Sequence, residues 1–323
     1  MKRRGITVLI GAALVALLTW QSLSMDVAYV VMGPGPTEDV LGAVTDEDDV
    51  EHQIITADVS YETSGELRLT TVRVKQSVTL AQALRYWMSD EHAIIPRDLI
   101  YPPDQSQEEI TAEQEADWVE SQSNAEQAAL AYLDQPAEIR AAADGGGLSK
   151  GDILLQVEGT PVDDLTDLED FAEGETEVTV DRDGTKTTVS AALGEAELQL
   201  NREDPYGIEI DTSALNIGGP SAGMIFALGI VDTVTEGELT GGLTVAGTGE
   251  IDPQGNVGGI GGIQQKIMAA ADAGAEVFLS PATNCADAVS VAPENMTIVK
   301  VETLTDAVAA LESITAGEAV ATC

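Results

Sequence analysis

Residues 218–231 read Gly-Gly-Pro-Ser-Ala-Gly-Met-Ile-Phe-Ala-Leu-Gly-Ile-Val, a chain break followed by a run without a single charged or amide side chain. Gly218, Gly219 and Pro220 do not readily continue a strand or a helix, whereas Ala222–Val231 predicts a helix despite its two glycines. A helix that is apolar all round has to lie inside a core, and 323 residues are enough to bury two. Ser221 falls where this helix starts. Unpaired backbone N–H groups and the positive end of the helix dipole gather there, so a hydroxyl at this place suits attack on a carbonyl whose oxyanion needs donors. It equally suits a plain N-cap.

A second helix bears on that choice. Over Ile263–Gly274, positions 263, 266, 267, 270 and 274 share one face and read Ile, Lys, Ile, Ala, Gly. The core-facing stripe therefore contains Lys266, with Gln265 and Asp272 expected to face elsewhere. Burial disfavours an ammonium and brings a lysine toward the range of a base at neutral pH. The alternative is a stem that snorkels, leaving its charge at the surface.

Composition thins the competitors. The chain has two histidines, His52 and His92, both far in sequence from Ser221, so a Ser-His-Asp triad would need a long-range coincidence. Cys285 and Cys323 lack zinc-site spacing and there is no HExxH, so no metal is implied. The glycines at 247–249 and 258–262 lack the third glycine or the acidic ribose partner of a dinucleotide site, and no GxxxxGK[ST] occurs, so no nucleotide cofactor is implied either. With 15 Lys and Arg against 56 Asp and Glu, the formal charge of −41 argues against nucleic acid as a partner. If Ser221 is a nucleophile, Lys266 is its base.

The segment Leu239–Ala271, LTGGLTVAGTGEIDPQGNVGGIGGIQQKIMAA, taken with GGPSAG upstream, resembles the proteolytic domain of the Lon family of serine peptidases. The resemblance runs over roughly the last 120 residues, through a strand at Val277–Leu279 and a helix over Thr303–Leu311. It implies that Ser221 is the nucleophile, that Lys266 is its base, and that Thr240 of the LTG motif hydrogen-bonds the lysine. Many Lon enzymes carry an acidic residue three positions before the serine, where this chain has Gly218. The ATPase motor of the ATP-dependent Lon enzymes has no counterpart motif, so loosely structured segments are the expected substrates.

At the front, Lys2, Arg3 and Arg4 precede an apolar run from Ile6 to Trp20, continued less strictly to Leu23. This predicts a cytoplasmic N-terminus with the remainder across the membrane. The length also fits a signal peptide, with Ser22–Ser24 as small residues for cleavage. Trp20 at an interface position and a strand expected at once over Asp26–Met32 favour a retained anchor. In an exported chain, Cys285 and Cys323 read either as a disulfide tying the C-terminus to the loop at Pro281–Asp287 or as two free thiols.

The middle resembles a bacterial PDZ domain in Gly147–Val162, followed by Leu165, Leu168 and Phe171 and a hairpin through Val178–Val180, Asp183-Gly184 and Thr187–Val189. PDZ domains capture peptides by strand addition, yet no clear carboxylate-binding loop is visible here. Before it come strand-like runs at Gln53–Val59 and Glu66–Val74, and an acidic helix over Glu108–Leu133 with Trp118, Val119 and Leu130 facing inward. These, with a turn at Met32–Thr37 (MGPGPT) and Pro102-Pro103, resemble membrane-anchored, PDZ-bearing Lon-like peptidases of Gram-positive bacteria. Tyr61–Val74 is expected to join the protease sheet, with the PDZ-like module inserted.

The expected fold class is α+β: an anchor or signal segment (1–24), an extracytoplasmic region (25–135), a PDZ-like module (136–195) and a Lon-type proteolytic domain (196–323). The expected function is an ATP-independent Ser-Lys endopeptidase at the cell membrane, catalytic domain outside. Its partners are protein or peptide substrates, the membrane, and by resemblance further copies in a ring. The alternative is a non-catalytic, membrane-anchored PDZ-type adaptor.

Overall fold

The computed structural model describes residues 2–46, 48–162, 165–171 and 173–323. Its helices are α1 (Lys2–Leu23), α2 (Leu80–Trp87), α3 (Gln107–Tyr132), α4 (Gly223–Val234), α5 (Ile263–Asp272), α6 (Cys285–Val289) and α7 (Leu304–Thr315). The chain is mixed α/β. One six-stranded sheet runs in the order Thr297–Val301, Val277–Pro281, Thr244–Gly247, Glu66–Lys75, Tyr29–Asp39, Ala93–Pro96. The first four strands are parallel and the last two are added antiparallel.

Side chains alternate across this sheet with period two. Val245, Leu279, Val299 and Val301 point to one face, where Leu67 and Leu69 join α3, α4 and α7. Ala246, Phe278 and Ile298 point to the other, against Ile263, Ile267 and Ala270 of α5. A parallel sheet needs cover on both faces, and these two helical layers supply it. All of α4 is buried, as its composition requires. A Cβ at Gly223 would sit 2.8 Å from Ile251 and 2.9 Å from Ser121, so this glycine lets a strand and α3 close on the helix start.

Strand Glu66–Lys75 lies beside Thr244–Gly247, with Leu69 opposite Gly247, and the residues between them in sequence include a second sheet. That sheet is antiparallel, in the order Thr185–Ala191, Thr176–Arg182, Ile153–Val157, Ala137–Ala141, Leu198–Arg202, over its own core of Ile139, Leu154, Val157, Val178 and Val180. Leu168 is buried there, with Leu165 and Phe171 packed at its margin. Asp183 and Gly184 both have positive φ (53° and 79°), as a two-residue hairpin turn needs. The last strand, Leu198–Arg202, reaches past the boundary expected at 195 because Leu198 and Leu200 complete this core.

Two local expectations are corrected. Met32–Thr37 is no turn but the middle of strand Tyr29–Asp39, where pairing shifts register between Pro34 and Thr37. Prolines donate no ladder bond, so the strand bulges there instead of ending. Trp118 and Leu130 of α3 are buried, but Val119 is 65% exposed. Neighbouring helical positions lie about 100° apart, so Trp118 and Val119 cannot both face one core.

Helix α1 contains an 18-residue stretch, Ile6–Leu23, long and apolar enough to cross a membrane, none of it buried. At the other end Cys285 is disulfide-bonded to Cys323, with Cα atoms 5.0 Å apart. The C-terminal tail lies along the edge strand Thr297–Val301, Lys300 N–H donating to Ala321 O and Cys323 N–H to Ile298 O. The bond therefore fastens the tail over an otherwise open sheet edge. Replacing both cysteines by serine is expected to lower the unfolding free energy by about 2–4 kcal/mol for a loop of this length, read from denaturant melts of parent and variant.

Candidate active site

The turn at Gly218–Pro220 brings Ser221 to the mouth of α4, but not as its cap. The N-cap is Ala222, which makes no side-chain capping bond. Ser221 Oγ instead lies 2.6 Å from Lys266 Nζ. On α5, Gly262 occupies the N-cap position at φ 71°, where a Cβ would meet Val72 at 2.8 Å, so glycine lets α5 begin hard against strand Glu66–Lys75. One turn on, Lys266 is 2% exposed.

Burial pushes the Lys266 amine down from its ordinary value of 10.5 to about 7, with Glu250 opposing the shift through its negative charge. Desolvation wins because the ammonium loses nearly all its water, while Glu250 is not in direct contact. Gln265, expected on the polar side, is also buried. Helix α5 is covered by α6 as well as by the sheet, so more than one of its faces is interior.

A second hydroxyl completes the arrangement. Thr248 Oγ1 lies 2.8 Å from Lys266 Nζ and donates to Ser221 O, also at 2.8 Å. Its own proton is committed to that carbonyl, so its lone pairs face the amine and fix where the amine sits. Gly249 N–H donates to Ser221 O as well, at 3.0 Å, and Ser121 Oγ of α3 donates to Pro220 O at 2.9 Å. The serine's backbone is thus held from two sides.

Thr240 is not part of this group. Its hydroxyl donates to Ser64 O. Thr240 lies ahead of strand Thr244–Gly247 and Thr248 directly follows it, so the whole strand, at ~3.3 Å per residue, and the turn before it separate the two threonines. Only the C-terminal end reaches the lysine. The sequence signal that would have picked Thr248 is its place immediately after a short apolar strand that points at the serine turn.

Ser221 and Lys266 open into a cleft of about 670 Å³, floored by Leu69–Val74 and walled by Tyr101, Gln114 and Trp118. Gly218 lies against α3, where a Cβ would meet Gln114 at 3.3 Å, and Gly219 N–H donates to Gln114 O. The position held by an acid in many Lon enzymes is therefore closely packed here. Among the described residues no cluster of three His, Cys, Asp or Glu side chains is placed to hold a metal.

The class defined by this fold and site has known members. Residues 187–313 match the Lon protease (S16) C-terminal proteolytic domain family. The chain is 33% identical over 111 residues to a Lon protease of Phenylobacterium zucineum, a stretch covering 33% of this chain and 14% of that protein. It is 37% identical over 98 residues to Lon protease 1 of Sorangium cellulosum, covering 30% and 12%. A Lon protease of Clostridioides difficile is 36% identical over 89 residues, covering 28% and 11%. The chain therefore contains a Lon proteolytic domain and matches only a small part of the length of these relatives. Strand Glu66–Lys75, central to the same sheet, lies outside the matched residues.

The buried amine has a measurable consequence for stability. Lys266 loses its proton near pH 7 in the folded chain and near its ordinary 10.5 when unfolded. Between those values the unfolded chain binds more protons, so this group makes stability rise with pH. Lys266→Met removes that slope. Its gain in unfolding free energy over the parent should be largest at or below about pH 7 and should shrink toward pH 10, read from denaturant melts across that range.

Proposed function

We propose that the chain is an ATP-independent serine endopeptidase that cuts exposed or unfolded protein segments outside the cytoplasmic membrane, held there by α1. The observation that carries this reading is the 2.6 Å contact between Ser221 Oγ and the buried Lys266 amine. Neutral Lys266 takes the hydroxyl proton as Ser221 Oγ bonds to the peptide carbonyl carbon. Backbone N–H groups at the start of α4 hold the resulting oxyanion. Lys266, now an ammonium, gives that proton to the leaving amine as the C–N bond breaks. An acyl ester on Ser221 is left.

A water molecule then loses a proton to Lys266 and attacks the ester, and the ammonium returns the proton to Ser221 Oγ. Thr248 keeps the amine aimed at Ser221 through both halves of the cycle. The cleft floor is strand backbone, which suits an extended peptide laid alongside. No nucleotide or metal enters any step. The module over 136–195, PDZ-like by sequence resemblance, presents polypeptide to the site. Association into a ring follows from the family resemblance.

The decisive test is cleavage of a permanently unfolded protein by the detergent-solubilised full chain beside Ser221→Ala and Lys266→Ala. Activity in the parent, lost in both folded variants, supports the dyad. A parent that binds peptides without cutting them favours the adaptor reading. The rate should rise with pH through about 7, because only neutral Lys266 accepts the proton. Thr248→Val should lower kcat by about ten- to a hundredfold, the kinetic equivalent of one hydrogen bond to a charged group. Thr240→Val, measured alongside, should leave that step alone and cost stability only.

A further inference from the structure

We infer that α2 and the turn at Leu99 form a membrane-docking face that seats the catalytic unit on the bilayer and turns the cleft mouth toward it. The inference rests on the reading of α1 as a retained anchor. Where α1 ends, Ser24 N–H donates to Trp20 O, and one residue later Met25 O accepts from Leu80 N–H, the first residue of α2. Asp26 and Val27 then pair with Thr79 and Val78. No linker separates the two helices, so an α1 that spans the hydrocarbon layer puts α2 at the interface.

The surface of α2 fits that place. Ala83 is buried beside Val78 and Val31, fixing the inward face. Leu84, Trp87 and Met88, at helical spacing i, i+3 and i+4, project outward, 45%, 76% and 78% exposed. Outside α1, Met88, Trp87 and Leu99 (72%) are the most exposed large apolar side chains among the described residues. Tryptophan and flanking basic residues are the side chains that settle at headgroup depth.

Charge points the same way. Between Leu69 and Ser89 come Arg73, Lys75 and Arg85 and no acidic residue, in a chain with 56 acids, whereas Arg68 at the far end of the strand is paired with Glu66. Arg97 adds another positive charge; the acids that flank the face are Asp26, which pairs with Thr79, and Asp90, Glu91 and Asp98. Such a patch is drawn to anionic headgroups that the rest of the molecule repels.

Arg97 also links this face to the cleft. Its guanidinium donates to Gln76 O at 2.9 Å and stands 5.4 Å from the Tyr101 ring. Gln76 and Tyr101 line the cleft that holds Ser221. Docking α2 therefore selects polypeptide segments lying close to the bilayer, in preference to freely diffusing chains.

The test is tryptophan quenching by brominated acyl chains, with the full chain in vesicles of phosphatidylcholine and phosphatidylglycerol. Trp118 is in the core, which leaves Trp20 and Trp87 as reporters. Trp87→Phe should remove about half of the quenching, and Trp20→Phe most of the remainder. Leu84→Ser with Met88→Ser, which keeps Trp87, should reduce quenching and open Trp87 to aqueous iodide, with unchanged melting confirming the fold. Quenching that depends on Trp20 alone overturns the docking face and leaves the anchor intact. No quenching of either overturns the anchor, and this inference with it. A Trp87 shielded from both lipid and iodide means that a protein surface covers α2, which also overturns it.

Discussion

A primary amine with almost no water around it, 2.6 Å from a serine hydroxyl, is the constraint the proteolytic unit is arranged to satisfy. Left charged in that place it would be costly, and left without partners it would be costlier. The sheet resolves this by delivering Thr248 at the end of one strand, α5 by carrying the lysine against that sheet, and α4 by starting from a turn whose carbonyl Thr248 can hold. Each of these elements is buried for reasons of its own, and their meeting point is the site.

Much of this was readable in the amino-acid order and some was not. The apolar run of α4 and the lysine on the inner face of α5 follow from periodicity within single helices, and both helices form where expected. The hairpin at Asp183-Gly184 is equally local. What failed involved distance in sequence or direction in space. Choosing between Thr240 and Thr248 needs to know which end of a strand faces a helix two elements later. The inward turn of Trp118 at the expense of Val119 depends on Phe226, whose ring it meets edge-on at 5.4 Å. The MGPGPT segment carries every local sign of a turn, yet pairing with strand Glu66–Lys75 before and after the register shift holds it extended.

The charge of the chain colours all of this. In a molecule with 15 basic residues, Lys266 is one of very few cations spent in the interior. A surrounding field of carboxylates favours the ammonium, and Glu250 does so most directly. Desolvation overrides that field because it acts at contact range, whereas the more distant charges are screened by water and salt. Ionic strength therefore tunes the lysine only weakly, while anything that lets water reach it changes it strongly.

The sheet is also assembled from ends of the chain that emerge far apart in time. Leu69 and Gly247 pair across 247 − 69 = 178 positions, and the lysine lies further on still. The antiparallel module between them closes through nearby contacts, so its formation does not wait for the rest. The parallel strands cannot join until nearly the whole polypeptide has been made, and bringing them together closes a long loop. A site built this way has no half-finished form: Ser221 and Lys266 come within 2.6 Å of one another only after sheet, α4 and α5 have all been made and joined.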